Sequence, residues 1–200
     1  MMLFGASGHC KSVIDVAKSI EVNIISIYDD NPKVKEVCHI PVVEFKSAEH
    51  SKDEVWVISI GDNVTRKYIQ TKLKVDFGRL IHNTATISPC SEVGKGTVMM
   101  AKAVVNACTT VGSHCIINTG AIIEHDCKIA DFVHISPNSS IAGGVTVGEG
   151  THVGIGACVL PGIKIGKWAT IGAGAVIIKD VPDGAVVVGN PGKIIKYKTF

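Results

Sequence analysis

From Ile81 to Ile177 every sixth residue is aliphatic, without a break: Ile81, Ile87, Val93, Met99, Val105, Val111, Ile117, Ile123, Ile129, Ile135, Ile141, Val147, Val153, Val159, Ile165, Ile171 and Ile177. A second track runs four residues behind and is small or β-branched, from Ala85, Ser91, Thr97 and Ala103 through Thr109, Cys115, Ala121 and Cys127 to Ala157. A period of six fits neither the 3.6-residue helix nor the two-residue alternation of a strand. It marks a β-solenoid of hexapeptides, in which the aliphatic residue fills the interior and the small one lets the chain turn beside it. At three hexapeptides per coil, the run predicts about five and a half coils. Spaced ~4.8 Å apart, they form a column roughly 27 Å tall.

The composition agrees. Aromatic residues make up only 5% of the 200, as expected of a narrow prism filled by Ile and Val, while the 21 glycines gather in the repeat half. A net charge of +2 argues for neither nucleic acid nor a membrane surface. No apolar run reaches the 18 residues of a spanning helix, and the start, Met1 to Gly5, lacks the basic and apolar regions of a signal peptide. The seven cysteines are odd in number and contain no CxxC pair, so reduced thiols and a cytoplasmic location are expected.

Residues 1–78 follow another rule. Met1 to Phe4 reads as a short strand that runs into Gly5-Ala6-Ser7-Gly8-His9 and then a helix from Cys10 to about Ile20. Ile24 to Tyr28 is a second strand ending in Asp29-Asp30. Val55 to Ile60 is a third, ending at Gly61-Asp62-Asn63 before a helix from Val64 to Lys74. Strands alternating with helices predict a small parallel α/β unit, Rossmann-like in plan. Residues 79–200 form the solenoid, whose last part, from Pro182, is expected to cap the open coil.

The hexapeptides, the Gly189-Asn190-Pro191-Gly192-Lys193 tail and the Gly5–Lys11 turn together resemble the left-handed β-helix acyltransferases. Within these the chain is most similar to the sugar-nucleotide acetyltransferases that act on UDP-4-amino-4,6-dideoxy sugars, and Glu124-His125-Asp126-Cys127 resembles that branch in particular. The resemblance implies left-handed coils, a homotrimer, and acetyl transfer from acetyl-CoA to a UDP-linked amino sugar without a metal. O-acetylation of a sugar such as sialic acid is the close variant.

Spacing then locates candidates. Residues 18 apart lie one above the other, so His125 sits beneath Gly143, whose N–H can face a developing oxyanion unobstructed by a side chain. His125 is the candidate general base, since its ordinary pKa of about 6.5 suits proton removal near neutrality. Asp126 can support it only if the backbone turns there, because adjacent strand residues point to opposite faces. His134 lies half a coil from His125, and Asn118 lies close to His134 on the preceding coil. If His125 and His134 serve one ligand, the site lies between subunits.

The resemblance assigns Asn118 to the sugar substrate, and His134, Gly143, Gly189, Asn190, Pro191 and Lys193 to acetyl-CoA. It assigns Gly5, Ser7, Gly8, His9 and Lys11 to the nucleotide diphosphate, at a helix N-terminus that presents N–H groups to an anion. Asp29, Asp30, Gly61, Asp62 and Asn63 end strands on the same edge and are candidate ribose or base contacts. Ordinary turn chemistry remains the alternative for each. Two other functions are weighed. His114, His134 and His152 could form the three-histidine set of a zinc lyase. A non-catalytic binding protein would have no use for His125-Asp126.

Overall fold

The computed structural model describes residues 1–46 and 54–198. The N-terminal unit contains β1 (Met2–Phe4), α1 (Gly8–Ser19), β2 (Ser26–Asp29), β3 (Glu36–Val37), β4 (Ile40–Glu44), β5 (Val55–Ile58), α2 (Asn63–Lys72) and β6 (Asp76–Phe77). Its sheet runs β3-β4-β2-β1-β5-β6. All pairs are parallel except β3–β4. The three expected strands form its centre. The sequence reading missed β3, β4 and β6, because short strands near a sheet edge need little apolar sequence.

Helix α1 buries Cys10, Val13, Ile14 and Ala17, an i, i+3, i+4, i+7 stripe. That stripe packs with Leu80, Val98 and Met100 of the solenoid. The two units therefore share one apolar core.

The repeats build three parallel sheets. The first face stacks Leu80–Ile81, Val98–Met99, Ile116–Ile117, His134–Ile135, His152–Val153 and Thr170–Ile171. The second runs from Thr86–Ile87 to Val176–Ile177, and the third from Glu92–Val93 to Lys164–Ile165. Each strand is two residues long. The second residue points inward; Ile117, Ile123, Ile135, Ile141 and Val153 are 0% exposed. Burying each such side chain contributes about 1.5–3 kcal/mol.

The small inner track does more than make room. Thr97, Thr109 and Thr151 each donate a hydroxyl to a carbonyl fifteen residues on and accept the N–H eighteen residues on. Cys115 and Cys127 make the weaker thiol version, to the carbonyls of Ala130 and Ala142. The tail continues the first face of the column. Ala185–Val188 joins the first face above Thr170, and Lys193–Tyr197 folds back antiparallel on it.

Candidate active site

His125 and Asp126 occupy the corner between the second and third faces. Asp126 takes a left-handed conformation, φ +59°. That turn removes the difficulty of opposite-facing neighbours: His125 Nδ1 donates to Asp126 Oδ2 at 2.8 Å. A carboxylate only accepts, so Nε2 of the ring carries the lone pair. The two side chains are 62% and 66% exposed, open to a substrate.

Gly143 lies directly above. A Cβ there would stand 2.6 Å from Cε1 and 2.7 Å from Nε2 of His125. Only glycine lets the ring lie this close under the backbone. Thr109 holds the turn from below: it donates to the Glu124 carbonyl at 2.7 Å and accepts Cys127 N–H at 3.0 Å. It thus clamps both sides of the His125-Asp126 pair, a role that no sequence motif announced.

His134 lies elsewhere, at the junction of the two units. There a cavity of about 430 Å³ is lined by His9, Gly61, Asp62, His134, His152 and Lys198, among others. The His9 and His134 rings are 6.3 Å apart, and His134 stacks on His152 at 4.7 Å. Asn118 Oδ1 accepts Thr119 N–H, which turns its amide nitrogen to His134 Nε2 at 3.0 Å. The Gly61 carbonyl takes the other ring N–H. Burial, with the neighbouring His152 and Arg66, pushes His134 down to about 3. Burial and Arg66 push His9 to about 4. These rings stay neutral, so His134 is a hydrogen-bonding wall and a poor base. Burial works against a charge on Asp62, but two bonds from Thr65 outweigh it and hold the carboxyl below its ordinary value.

Arg66, unremarked in the sequence, builds this junction. It is 1% exposed. Its guanidinium donates to the oxygens of His114, Ile60, Gly61, Asn63 and Phe132 at 2.8–3.1 Å. Two of these belong to successive solenoid corners, so α2 is fixed to the column. Lys198 and Trp168 also line the cavity and had no motif to reveal them.

Gly5 at φ +109° leaves no room for a side chain, since a Cβ would sit 2.4 Å from Ile60. Ser7 precedes α1 with no side-chain cap bond, and Gly8 is exposed, so this helix N-terminus is open. Lys11 is exposed on its first turn. Asp29 has structural work, accepting the N–H groups of Ala6 and Asn31. Asp30 pairs with Lys72 at 3.5 Å beside Phe45 and Lys46.

Asn63 lies in the wall of the junction cavity, but its side chain is already engaged. It is buried, with its amide spent on the carbonyls of Gly150 and Thr151 and its oxygen on Arg66. It joins the units. His114 does not converge with His134 and His152. Its ring stacks on Phe132 at 5.2 Å and meets Phe77 edge-on. Among the described residues no group of three metal-ligating side chains forms.

At the top of the column, Gly189, Asn190, Pro191 and Lys193 form an exposed loop. Gly192 seats it: a Cβ there would press Ile177 at 2.8 Å and Val187 at 3.0 Å. A further concavity, about 500 Å³, lies on the third face among Lys128, Asp131, Glu149 and Lys167. It includes neither His125 nor the glycine turn.

Residues 1–73 match the PglD N-terminal domain family, and residues 144–179 match the bacterial transferase hexapeptide (six repeats). The curated proteins contain no significant match. Solved structures match over almost the whole chain. One is a histidine-to-asparagine mutant of perosamine N-acetyltransferase from Caulobacter crescentus in complex with CoA and GDP-perosamine. It has 33% identity and a TM-score of 0.91, covering 98% of this chain and 96% of that one. The acetyltransferase domain of PglB from Neisseria gonorrhoeae FA1090, in complex with acetyl coenzyme A, has 36% identity and a TM-score of 0.91, covering 97% and 98%. WeeI from Acinetobacter baumannii AYE has 25% identity and a TM-score of 0.89, covering 97% and 98%.

Proposed function

Because this chain belongs to the left-handed β-helix sugar-nucleotide N-acetyltransferases, we propose that it acetylates the 4-amino group of a UDP-linked amino-deoxy sugar, with His125 as general base. The observation that carries the reading is the His125–Asp126 pair lying close beneath Gly143. His125 Nε2 takes a proton from the amine as its nitrogen attacks the thioester carbonyl. The Gly143 N–H, which has no protein acceptor among the described residues, is available to the oxygen that gains charge. Collapse expels the coenzyme A thiolate, which recovers the proton from His125. Asp126 stabilises the imidazolium between these transfers.

The coenzyme A route runs up the column. Ala142, Leu160 and Ile178 succeed one another beside the catalytic corner, with Leu160 42% and Ile178 44% exposed. Three coil rises, roughly 14 Å, separate His125 from the level of Lys179, near the Gly189–Lys193 loop. That stripe suits a pantetheine arm, and Lys193 suits a phosphate. The nucleotide diphosphate is assigned to the open N-terminus of α1. His9 and His134 share a cavity within one chain, while His125 sits on the far corner. A homotrimer that brings one copy's His125 to its neighbour's junction cavity completes the site.

The test is thiol release from acetyl-CoA across UDP- and GDP-linked 4-amino sugars and their 4-hydroxy analogues. Fastest turnover is expected with a UDP-linked amine. Preference for a GDP-linked amine would revise the nucleotide, and preference for a hydroxyl would replace N- by O-acetylation.

A further inference from the structure

One coil below Asp126 the same corner position holds Cys108, and one coil below that, Cys90. Their sulfurs are 3.6 Å apart, and both side chains are exposed. The residues lie 18 apart, one coil rise of ~4.8 Å, within the Cα separation of about 4.4–6.8 Å that a disulfide spans. Closure therefore needs side-chain rotation and no displacement of the coils. Among the described residues no other pair of cysteine sulfurs meets: Cys10, Cys115 and Cys127 are buried, while Cys38 and Cys158 are exposed, the Cys158 thiol facing the Gly156 carbonyl.

The pair is also asymmetric. The Cys90 sulfur receives the Cys108 N–H at 3.2 Å and the Cys108 thiol, and it meets the Ser88 hydroxyl at 3.2 Å. Hydrogen bonds, that from Ser88 first, lower the Cys90 thiol below its ordinary range. Cys108 is held higher, by its bond to Cys90 and by the charges of Cys90 and Asp126.

We propose that Cys90 and Cys108 are a redox-active dithiol, Cys90 attacking and Cys108 resolving, that reacts reversibly with low-molecular-weight disulfides. The Cys90 thiolate attacks one sulfur of the small disulfide and expels a thiolate, leaving a mixed disulfide. Cys108 loses its proton to solvent, attacks the Cys90 sulfur and expels the second thiolate. Two protein thiols are oxidised to one disulfide, and one small disulfide is reduced to two thiols. On the proposed function, substrate reaches His125 at this same corner, one coil above Cys108 and two above Cys90. A neighbouring resolving thiol turns an adduct beside the catalytic pair into a compact, reversible bridge.

The experiment treats reduced full-length protein with oxidised glutathione, quenches with acid, alkylates, and maps peptides without reduction. A Cys90–Cys108 bridge is expected while Cys38 and Cys158 carry at most single glutathiones, and dithiothreitol should reverse it. Cys108→Ser should trap glutathione on Cys90. Cys90→Ser should leave Cys108 reacting more slowly than Cys90 does in the other variant, because there the Ser88 hydroxyl and the residue-108 N–H still face the Cys90 sulfur. The dithiol is overturned if Cys90 and Cys108 stay free, or each hold their own glutathione, where Cys38 and Cys158 are already capped. Equal rates in the two serine variants would overturn the assignment of roles.

Discussion

His125 and Gly143 test each other because they fail differently. His125→Ala removes the proposed base and is expected to lower kcat by at least ~100-fold with folding retained. The ring is exposed, so little packing is lost. Gly143→Ala keeps the imidazole but places a methyl 2.6 Å from it. The ring is free to swing outward, so the fold tolerates the change, while displacement by about 1 Å costs on the order of 10²-fold in rate. Steady-state kinetics beside a thermal melt separates activity from stability for both. A Gly143→Ala enzyme with wild-type turnover would remove the reason for glycine at this corner.

Among the elements, the hydroxyl ladder inside the column reaches the proposed catalytic pair at Thr109. Thr109→Val leaves the Glu124 carbonyl and the Cys127 N–H without their partner, at a cost of about 1–3 kcal/mol. Both groups flank His125-Asp126, so kcat is expected to fall with KM little changed, and Thr109→Ser to restore it. A valine enzyme that is less stable but catalytically normal would confine Thr109 to packing. The junction between the units carries a pH signature. His9 and His114 titrate near 4 and His134 near 3 in the folded protein, chiefly through burial, against about 6.5 unfolded. Below 6.5 the unfolded chain binds more protons, so stability is full above that pH and is lost as the pH falls toward 4 and 3. Thermal melts from pH 7.5 to 4 should show a falling Tm, and His134→Gln should flatten the fall. A Tm independent of pH over that window would contradict the burial of neutral histidines.

For the molecule as a whole, the separation of His125 from the His9–His134 cavity asks for a partner copy. On the proposed homotrimer, co-expressed His125→Ala and His134→Ala chains, each nearly inactive alone, should regain part of the wild-type rate, because mixed trimers would contain interfaces with both residues intact. Verified mixed trimers as inactive as their parents would place the chemistry within one chain or leave His134 without a part.

The hexapeptide period determined the solenoid by itself. Its physical content is local: one aliphatic residue inward and one tight turn every six residues, repeated until 18-residue stacking follows. That stacking made His125 legible beneath Gly143, and the glycine turn before α1 was legible for the same local reason. Tertiary structure decided the rest. The left-handed turn at Asp126 settled that its carboxylate reaches His125, since backbone φ at one corner is not written in a spacing. Arg66 and Lys198 carry no motif, and Asn63 stands in a strand-end turn that does not announce its bonds to the column. Their roles arise where α2 and Lys198 meet the column, with bonds from α2 to residues 48 to 88 positions away. The fate of the three histidines was decided there too: the period stacked His134 on His152 and His114 on Phe132, but only the docked N-terminal unit closed a cavity around the first pair and set Phe77 edge-on to His114. A sequence period specifies what repeats along one axis; contacts between two units packed side by side depend on surfaces that no single period describes.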